Sequence, residues 1–260
     1  MLVSPSHFPE RARRAEQLGV PLLEYPSQAH SRPLAVVGGS PGVRSRLDEL
    51  RAWEGDIWAI NGTCQWLASE GIESVFFTVD ANPPIIDLAR GVKKAIVASG
   101  IPPEAMDILL RQGTDLRMFH TCLVPEADDP IETGPTSAAC SVSVAFRLGY
   151  RRLVLFGCES SYSGATHAFK DEAPEEYIVV KAGGKLYRTS LQFYDQATYL
   201  QALILGCSMF FTDRVIEERS GGLLAAMVAN PETWEVVGLS KALRDKLDPT
   251  STDFREVEAA

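Results

Sequence analysis

Short apolar runs alternate with runs of helical spacing from residue 33 onward, and turns rich in glycine, serine or threonine separate them. Three of these turns lie between a strand-like and a helix-like run: 38–42 (GGSPG), 61–63 (NGT) and 133–137 (TGPTS). Alternation of this kind favours βαβ units and a parallel sheet. In such a sheet the turns collect along one edge, where helix N-termini offer N–H groups to phosphate. The pattern therefore predicts an α/β protein that handles a nucleotide.

Composition narrows the classes of partner. The 260 residues are 45% hydrophobic and 23% charged, and the formal net charge is −9. With no excess of basic residues to offset phosphate backbones, we expect neither nucleic-acid nor anionic-membrane binding. A small phosphorylated ligand held by backbone amides remains compatible with this charge.

We expect a cytoplasmic protein with reduced cysteines. No apolar run approaches the roughly 20 residues of a membrane span, and the first residues lack the pattern of a secretory signal. The five cysteines are scattered and form no C-x-x-C pair. A zinc knuckle or a disulfide framework is therefore not expected.

The chain divides into three predicted parts. Residues 1–33 form a lead-in segment with one short helix, 34–240 a nucleotide-binding domain, and 241–260 a charged C-terminal tail. Within the domain, 176–190 predicts a β-hairpin around Gly183-Gly184. The run that follows predicts a helix over 191–205 and a strand over 207–212.

The loop 38–42 is the first candidate ligand site. Glycines allow a backbone to approach a ligand closely, so Gly38, Gly39 and Ser40 are candidate phosphate contacts. The loop completes neither G-x-G-x-x-G nor a Walker A motif, which disfavours an NAD enzyme or a P-loop ATPase. A plain turn between strand and helix is the alternative.

Two carboxylates follow predicted strands. Asp80 ends one strand and Glu159 follows another, so together they could hold one Mg²⁺ that bridges phosphates. Asp80 could instead hold a ribose hydroxyl, or simply form an Asx turn or a helix cap before the prolines that follow Asn82. Glu159 is also a candidate catalytic group.

Three further polar residues are candidates. Thr136 and Ser137 begin a helix of small residues, where their hydroxyls either cap the helix or help to bind phosphate. His167 lies in a polar segment and is a candidate acid–base group or hydrogen-bond donor to phosphate. A histidine that is merely solvated is the alternative.

In their order along the chain, these features resemble a known family. Residues from about Leu34 to Ile204 are similar to the Rossmann-like family named for the archaeal 6-hydroxymethylpterin diphosphokinase MptE. They are also similar to the related bacterial motility-associated and sialyl-transferring glycosyltransferases. Three matching features come first along the chain: a glycine-rich loop (38–42), a strand ending in Asn61 and a strand ending in Val-Asp (79–80). Three more follow: a helix ending in Leu-Gly-Tyr (148–150), a strand followed by Gly-x-acid (157–159) and a hairpin of the form Gly…Thr-Ser (183–190).

This resemblance implies a Rossmann-like three-layer sandwich with a mostly parallel sheet and a small inserted β-hairpin. In the sialyltransferases, a cytidine-nucleotide site is lined by the residues that match Gly38, Asn61, Asn82, Thr136 and Ser137. In the diphosphokinase the similar edge would bind ATP with Mg²⁺. The histidine base of the sialyltransferases has no counterpart near Arg188-Thr189 here.

Three functions follow as hypotheses. The first is a Mg²⁺-assisted transferase that moves a pyrophosphoryl group from a nucleoside triphosphate, with Asp80 and Glu159 holding the metal. The second is a glycosyltransferase that uses a nucleotide sugar, with His167 as base. The third is a non-catalytic nucleotide-binding module. Each implies a small nucleotide partner, the transferases add an acceptor, and a homo-oligomer is compatible with all three.

Overall fold

The computed structural model of the chain describes residues 6–162 and 175–247. Its helices and strands alternate as the sequence predicts, with a 3₁₀ turn over Pro41–Arg46 before the second helix. The helices are α1 (His7–Gln17), α2 (Leu47–Arg51), α3 (Thr63–Ser69), α4 (Ile85–Leu88), α5 (Pro103–Arg111), α6 (Ser137–Arg147), α7 (Leu191–Phe210), α8 (Gly222–Ala229) and α9 (Lys241–Leu247). The strands are β1 (Leu34–Val37), β2 (Asp56–Ile60), β3 (Val75–Thr78), β4 (Lys94–Ala98), β5 (Asp115–Phe119), β6 (Arg152–Phe156), β7 (Ile178–Ala182), β8 (Lys185–Thr189), β9 (Val215–Glu218) and β10 (Trp234–Leu239).

The strands form two sheets. In the larger sheet seven of the described strands follow the order β5-β4-β3-β2-β1-β6-β9, and the smaller sheet has the order β10-β7-β8. The pairs β1–β2, β2–β3, β3–β4 and β4–β5 are parallel. Strand β1 is buried along its whole length, as expected of a parallel strand covered on both faces. The predicted Rossmann-like α/β fold with a mostly parallel sheet is confirmed.

The chain separates into two compact units. Unit 1 comprises 6–38 and 48–153, and unit 2 comprises 39–47, 154–162 and 175–247. In unit 1, α6 packs on β1 and β3. Most of its residues are buried, and many of them are small alanines and serines that allow a close approach to the sheet. The domain boundaries predicted at residues 33 and 240 stay predictions.

Unit 2 contains the small antiparallel sheet. The predicted hairpin is confirmed as β7 and β8, joined by Gly183 and Gly184 with φ angles of 56° and 77°. Two successive positive φ angles are the geometry of a two-residue hairpin turn, which favours glycine. Strand β10 was not expected from the sequence, and it pairs with the other side of β7.

The strand predicted over 207–212 is wrong, because α7 continues to Phe210. A short apolar run does not by itself distinguish a strand from a buried helical segment. Here the run extends the helix, and Met209 and Phe210 are 71% and 76% exposed at its end. The next strand of the large sheet is β9 instead. Within 6–162 and 175–247, no helix is both long enough and apolar enough to cross a membrane.

Candidate functional site

The ends of four parallel strands bring polar residues together in unit 1. Asn61 follows β2, Asp80 lies two residues after β3, Ser99 follows β4 and His120 follows β5. We call this row of strand ends the carboxyl edge of unit 1. Because β2 and β3 are neighbours, the backbone N–H of Asn61 donates to the carbonyl of Phe77 at 3.1 Å. Ligands of open parallel sheets bind at such an edge.

Asn61 has an unusual environment. Its φ of 51° is in the left-handed region, which asparagine tolerates better than most residues. Among the described residues, none forms a hydrogen bond with its buried Oδ1 atom or with the buried hydroxyl of Thr63, a residue only 1% exposed. Leaving a buried polar atom unsatisfied costs about 1–3 kcal/mol. A pair of such atoms at one strand end is a feature that a bound ligand would explain.

Asp80 and Asn82 form a local turn after β3, the strand that pairs with β2. The Oδ1 atom of Asp80 accepts the backbone N–H of Asn82 at 2.9 Å and its side-chain N–H at 2.8 Å. The backbone N–H of Asp80 donates to the hydroxyl of Thr78 at 3.0 Å. The Asx turn that was the alternative for Asp80 is therefore present. It positions Asn82 on the carboxyl edge, and the metal-binding role of Asp80 stays a prediction.

The start of α6 lies at the same edge. The hydroxyl of Thr136 accepts the N–H of Ala139 at 3.2 Å and so caps the helix. The hydroxyl of Ser137 accepts the N–H of Val79 at 3.1 Å. Both hydroxyls thus have a structural role as acceptors, and Ser137 joins the α6 N-terminus to the end of β3. Unit 1 therefore brings Asn61, the Asp80–Asn82 turn and the α6 N-terminus to one place.

A second polar group lies in unit 2. The backbone N–H of Gly42 donates to Oε1 of Glu159 at 2.7 Å. A Cβ on Gly42 would lie 2.0 Å from that oxygen, so the close approach that glycine permits is made by Glu159. The Ser40 side chain does not cap the 3₁₀ turn. The backbone N–H of Ser40 donates to the carbonyl of Gly157 at 3.0 Å.

The segment after β6 fixes Glu159 firmly. Ser160 has a φ of 55°, its carbonyl accepts the Thr189 hydroxyl at 2.7 Å, and its hydroxyl accepts the Gln196 amide at 2.9 Å. The hydroxyl of Ser161 accepts the N–H of Leu223, at the start of α8, at 3.1 Å. Elements β8, α7 and α8 of unit 2 therefore all hold this segment in place.

Glu218 is a residue that the sequence reasoning missed. It ends β9, and its Oε1 accepts the N–H groups of Ser220 and Gly221. Burial raises the pKa of Glu218 despite these hydrogen bonds. Burial also raises the pKa of Glu159, where the Gly42 N–H opposes the shift and the charge of Glu218 adds to it. An acidic residue at a strand end before Ser-Gly-Gly was the available signal, and it was hidden by placing the strand over 207–212.

The predicted metal site of Asp80 with Glu159 stays a prediction, and so does the predicted phosphate site of Gly38, Gly39 and Ser40. Asp80 belongs to unit 1 and Glu159 to unit 2, and likewise Gly38 belongs to unit 1 while Gly39 and Ser40 belong to unit 2. Within the described ranges, no three His, Cys, Asp or Glu side chains are grouped as metal ligands. A site of two carboxylates completed by phosphate oxygens is not tested by that observation. His167 lies outside the described residues.

Comparison with known proteins supports the fold. No protein-family model matches the chain, and no curated protein sequence matches it. A solved structure of the MAf glycosyltransferase from Magnetospirillum magneticum AMB-1 is similar, with a TM-score of 0.61, 14% identity, and 85% of this chain and 39% of that chain covered. A mammalian sialyltransferase is more distantly similar, with a TM-score of 0.41, 11% identity and coverage of 85% and 82%.

The likeness to the MAf glycosyltransferase is one of fold. This chain corresponds to 39% of the length of that protein, so the activity of that protein does not transfer with the fold.

Proposed function

We propose that the chain is a glycosyltransferase that uses a nucleotide-sugar donor, and that the nucleotide binds at the carboxyl edge of unit 1. The observation that carries the proposal is the pair of unsatisfied polar atoms, Oδ1 of Asn61 and the hydroxyl of Thr63. The fold likeness to the MAf glycosyltransferase supports this choice over the diphosphokinase reaction. The latter stays a prediction.

The chemistry of the two atoms indicates what binds there. A carboxamide oxygen is only an acceptor, so Asn61 requires an N–H or O–H donor, as a ribose hydroxyl or an exocyclic amine of a base provides. The Thr63 hydroxyl both donates and accepts. Phosphate groups are favoured at the α6 N-terminus, where backbone N–H groups and the helix dipole favour negative charge. A nucleotide would satisfy both requirements.

The transfer step itself follows from general chemistry. The acceptor hydroxyl oxygen attacks the anomeric carbon of the sugar, and the bond from that carbon to the phosphate oxygen breaks. The electron pair stays on the phosphate, which leaves with the nucleotide. The hydroxyl proton passes to a base, for which His167 is the candidate. If Mg²⁺ takes part, Asp80 is the carboxylate at this edge that would contribute to holding it.

The proposal is tested by measuring nucleotide binding and donor turnover. A thermal-shift panel of CMP, CTP, ATP, GTP and UDP, with and without Mg²⁺, reports binding because a ligand of the folded state raises its stability. Asn61→Ala and Thr63→Val should each weaken the binding of the best nucleotide by about tenfold, equivalent to one lost hydrogen bond of ~1.4 kcal/mol. Asn230→Ala is the matched control, since that side chain bonds the Ala226 carbonyl in unit 2.

Turnover decides between the hypotheses. A glycosyltransferase commonly hydrolyses its donor slowly, so we expect release of the nucleotide from one nucleotide sugar. Binding of a nucleoside triphosphate that requires Mg²⁺, with no donor hydrolysed, would favour pyrophosphoryl transfer instead. Binding without turnover of any substrate would favour a non-catalytic module. Unchanged nucleotide binding by both Asn61→Ala and Thr63→Val would show that the nucleotide does not bind at this edge.

A further inference from the structure

Helix α1 lies over the carboxyl edge of unit 1. The Nη1 atom of Arg11 donates to the carbonyl of Ala81 at 3.0 Å and to that of Gly100 at 2.9 Å. Ala81 is the middle residue of the Asp80–Asn82 turn, and Gly100 lies in the loop after β4. One guanidinium therefore connects two neighbouring strand ends to a helix that the sequence analysis assigned to the lead-in segment.

Other residues of α1 reinforce this contact. The ring of Phe8 packs so closely on Gly100 that a Cβ there would lie 2.4 Å from its Cδ1 atom. Oε1 of Glu16 lies 3.2 Å from Nε2 of His120, whose Nδ1 is 3.0 Å from the Ser99 hydroxyl. Arg11 is three positions and Glu16 eight positions after Phe8, and these spacings place residues on one side of a helix. The contacts thus come from one face of α1, which meets the ends of β3, β4 and β5.

The two arginines of α1 that pair across unit 1 differ in their partners. Arg14 binds the carboxylate of Asp107 at 2.9 Å and the carbonyl of Pro103 at 3.3 Å, both on α5. The hydrogen bonds of Arg11 go to the carbonyls of two loops, those after β3 and β4, and burial lowers its pKa. A guanidinium remains charged in proteins and presents its N–H donors in a rigid planar arrangement. Partial burial of that charge against main-chain carbonyls fixes the loops rather than neutralising an acid.

We infer that Arg11 is a positioning residue for the nucleotide site. By holding the Ala81 carbonyl it fixes the turn that holds Asn82 at the end of β3, and it fixes α1 as the wall of the site there. This inference rests on the proposed function for the identity of the ligand. The restraint of the loops after β3 and β4 by Arg11 does not depend on the proposed function.

The test compares Arg11→Gln with Arg14→Gln. Both variants remove one charge from α1 and several hydrogen bonds to the rest of unit 1, but Arg11 binds the loops after β3 and β4, whereas Arg14 binds residues of α5. Hydrogen exchange of peptides covering 79–85 and 99–101 reports loop restraint, and calorimetry reports the Kd of the best nucleotide. In the Arg11 variant we expect exchange and Kd each to rise about tenfold, and in the Arg14 variant each to stay within about twofold.

Two further readouts separate positioning from general instability. With a donor that turns over, Arg11→Gln should raise KM and leave kcat within about threefold. Arg11→Lys keeps a donor that can reach one carbonyl and should recover part of the affinity, and it also serves if Arg11→Gln does not fold. Equal exchange and equal Kd in the Arg11 and Arg14 variants would overturn the inference. If the parent binds no nucleotide, the proposed function fails and the positioning role with it, whatever the exchange of the two loops.

Discussion

The carboxylate of Glu159 accepts the backbone N–H of Gly42 at 2.7 Å, and this contact depends on the absence of a side chain at residue 42. A Cβ there would lie 2.0 Å from Oε1 of Glu159 and 2.9 Å from its Cδ. The glycine that suggested a phosphate cradle is thus required by a carboxylate of the same unit. A phosphate at this N–H would have to displace Glu159.

Gly42→Ala should therefore destabilise the protein. The hydrogen bonds of the segment after β6 hold Glu159 in place, so an added Cβ would overpack this contact. We expect the free energy of unfolding, measured with urea, to fall by about 1–3 kcal/mol. Gly206→Ala is the control, because nothing lies within 4 Å of its Cβ position and residue 206 lies inside α7. That variant should gain about 0.5–1 kcal/mol. Equal effects of the two variants on stability would contradict the close contact between Glu159 and Gly42.

Stability should depend on pH through Glu159. Its pKa is raised from 4.5 by burial, so the folded state binds this proton more tightly than the unfolded state does. The stability that the protonated group contributes is complete below pH 4.5 and is lost as the pH rises through the raised value. Glu159→Gln keeps an oxygen that can accept the Gly42 N–H and removes the charge.

The Glu159→Gln variant should accordingly be more stable than the parent at pH 7, and the difference should shrink towards pH 4. Denaturant unfolding from pH 4 to pH 8 measures it. Glu176→Gln is the control, since Glu176 forms an exposed pair with Lys246. If the curve of unfolding free energy against pH for Glu159→Gln runs parallel to that of the parent over the whole range, the expected direction of the Glu159 pKa shift is contradicted.

The fold was predictable where local signals are strong. β1, β2 and β3 are apolar runs bounded by turn residues, and the Gly183-Gly184 hairpin has its own turn chemistry. The extension of α7 over 207–210 was not predictable, because a short apolar run suits either a strand or a helix and tertiary packing decides between them. The misplaced strand also concealed β9.

The candidate site was predictable only in part. Residues that follow strands, such as Asn61 and Asp80, are found by locating the strand ends, because parallel strands end at one edge. Contacts between distant segments leave no such signal. Arg11 and the Ala81 carbonyl are 70 residues apart, and Glu159 and Gly42 are 117 apart. Hydrogen bonds of this kind follow from packing and not from local pattern.

Asn61 offers a way to separate ligand binding from folding. Its φ of 51° suits glycine, whereas alanine in the left-handed region costs about 1–2 kcal/mol. The variants Asn61→Gly and Asn61→Ala remove the same unsatisfied atom, so Asn61→Ala should be less stable than Asn61→Gly by about 1 kcal/mol. Both lack the buried Oδ1 atom, so both should lose nucleotide affinity to a similar degree in calorimetry. If affinity follows stability instead, Asn61 affects binding only through the backbone.

Ser137 should be a strong determinant of stability whatever the ligand. Its hydroxyl is the acceptor for the Val79 N–H, and the residue is 6% exposed. Ser137→Ala leaves a partly buried N–H without that partner, which costs about 1–3 kcal/mol. Ser208→Ala is the control, because the Ser208 hydroxyl is exposed and donates to a helical carbonyl, so its loss should change stability by less than about 0.5 kcal/mol. Urea unfolding of both variants provides the measurement. If Ser137→Ala is as stable as Ser208→Ala, the bond between the α6 N-terminus and the end of β3 contributes little, and another interaction must hold the two together.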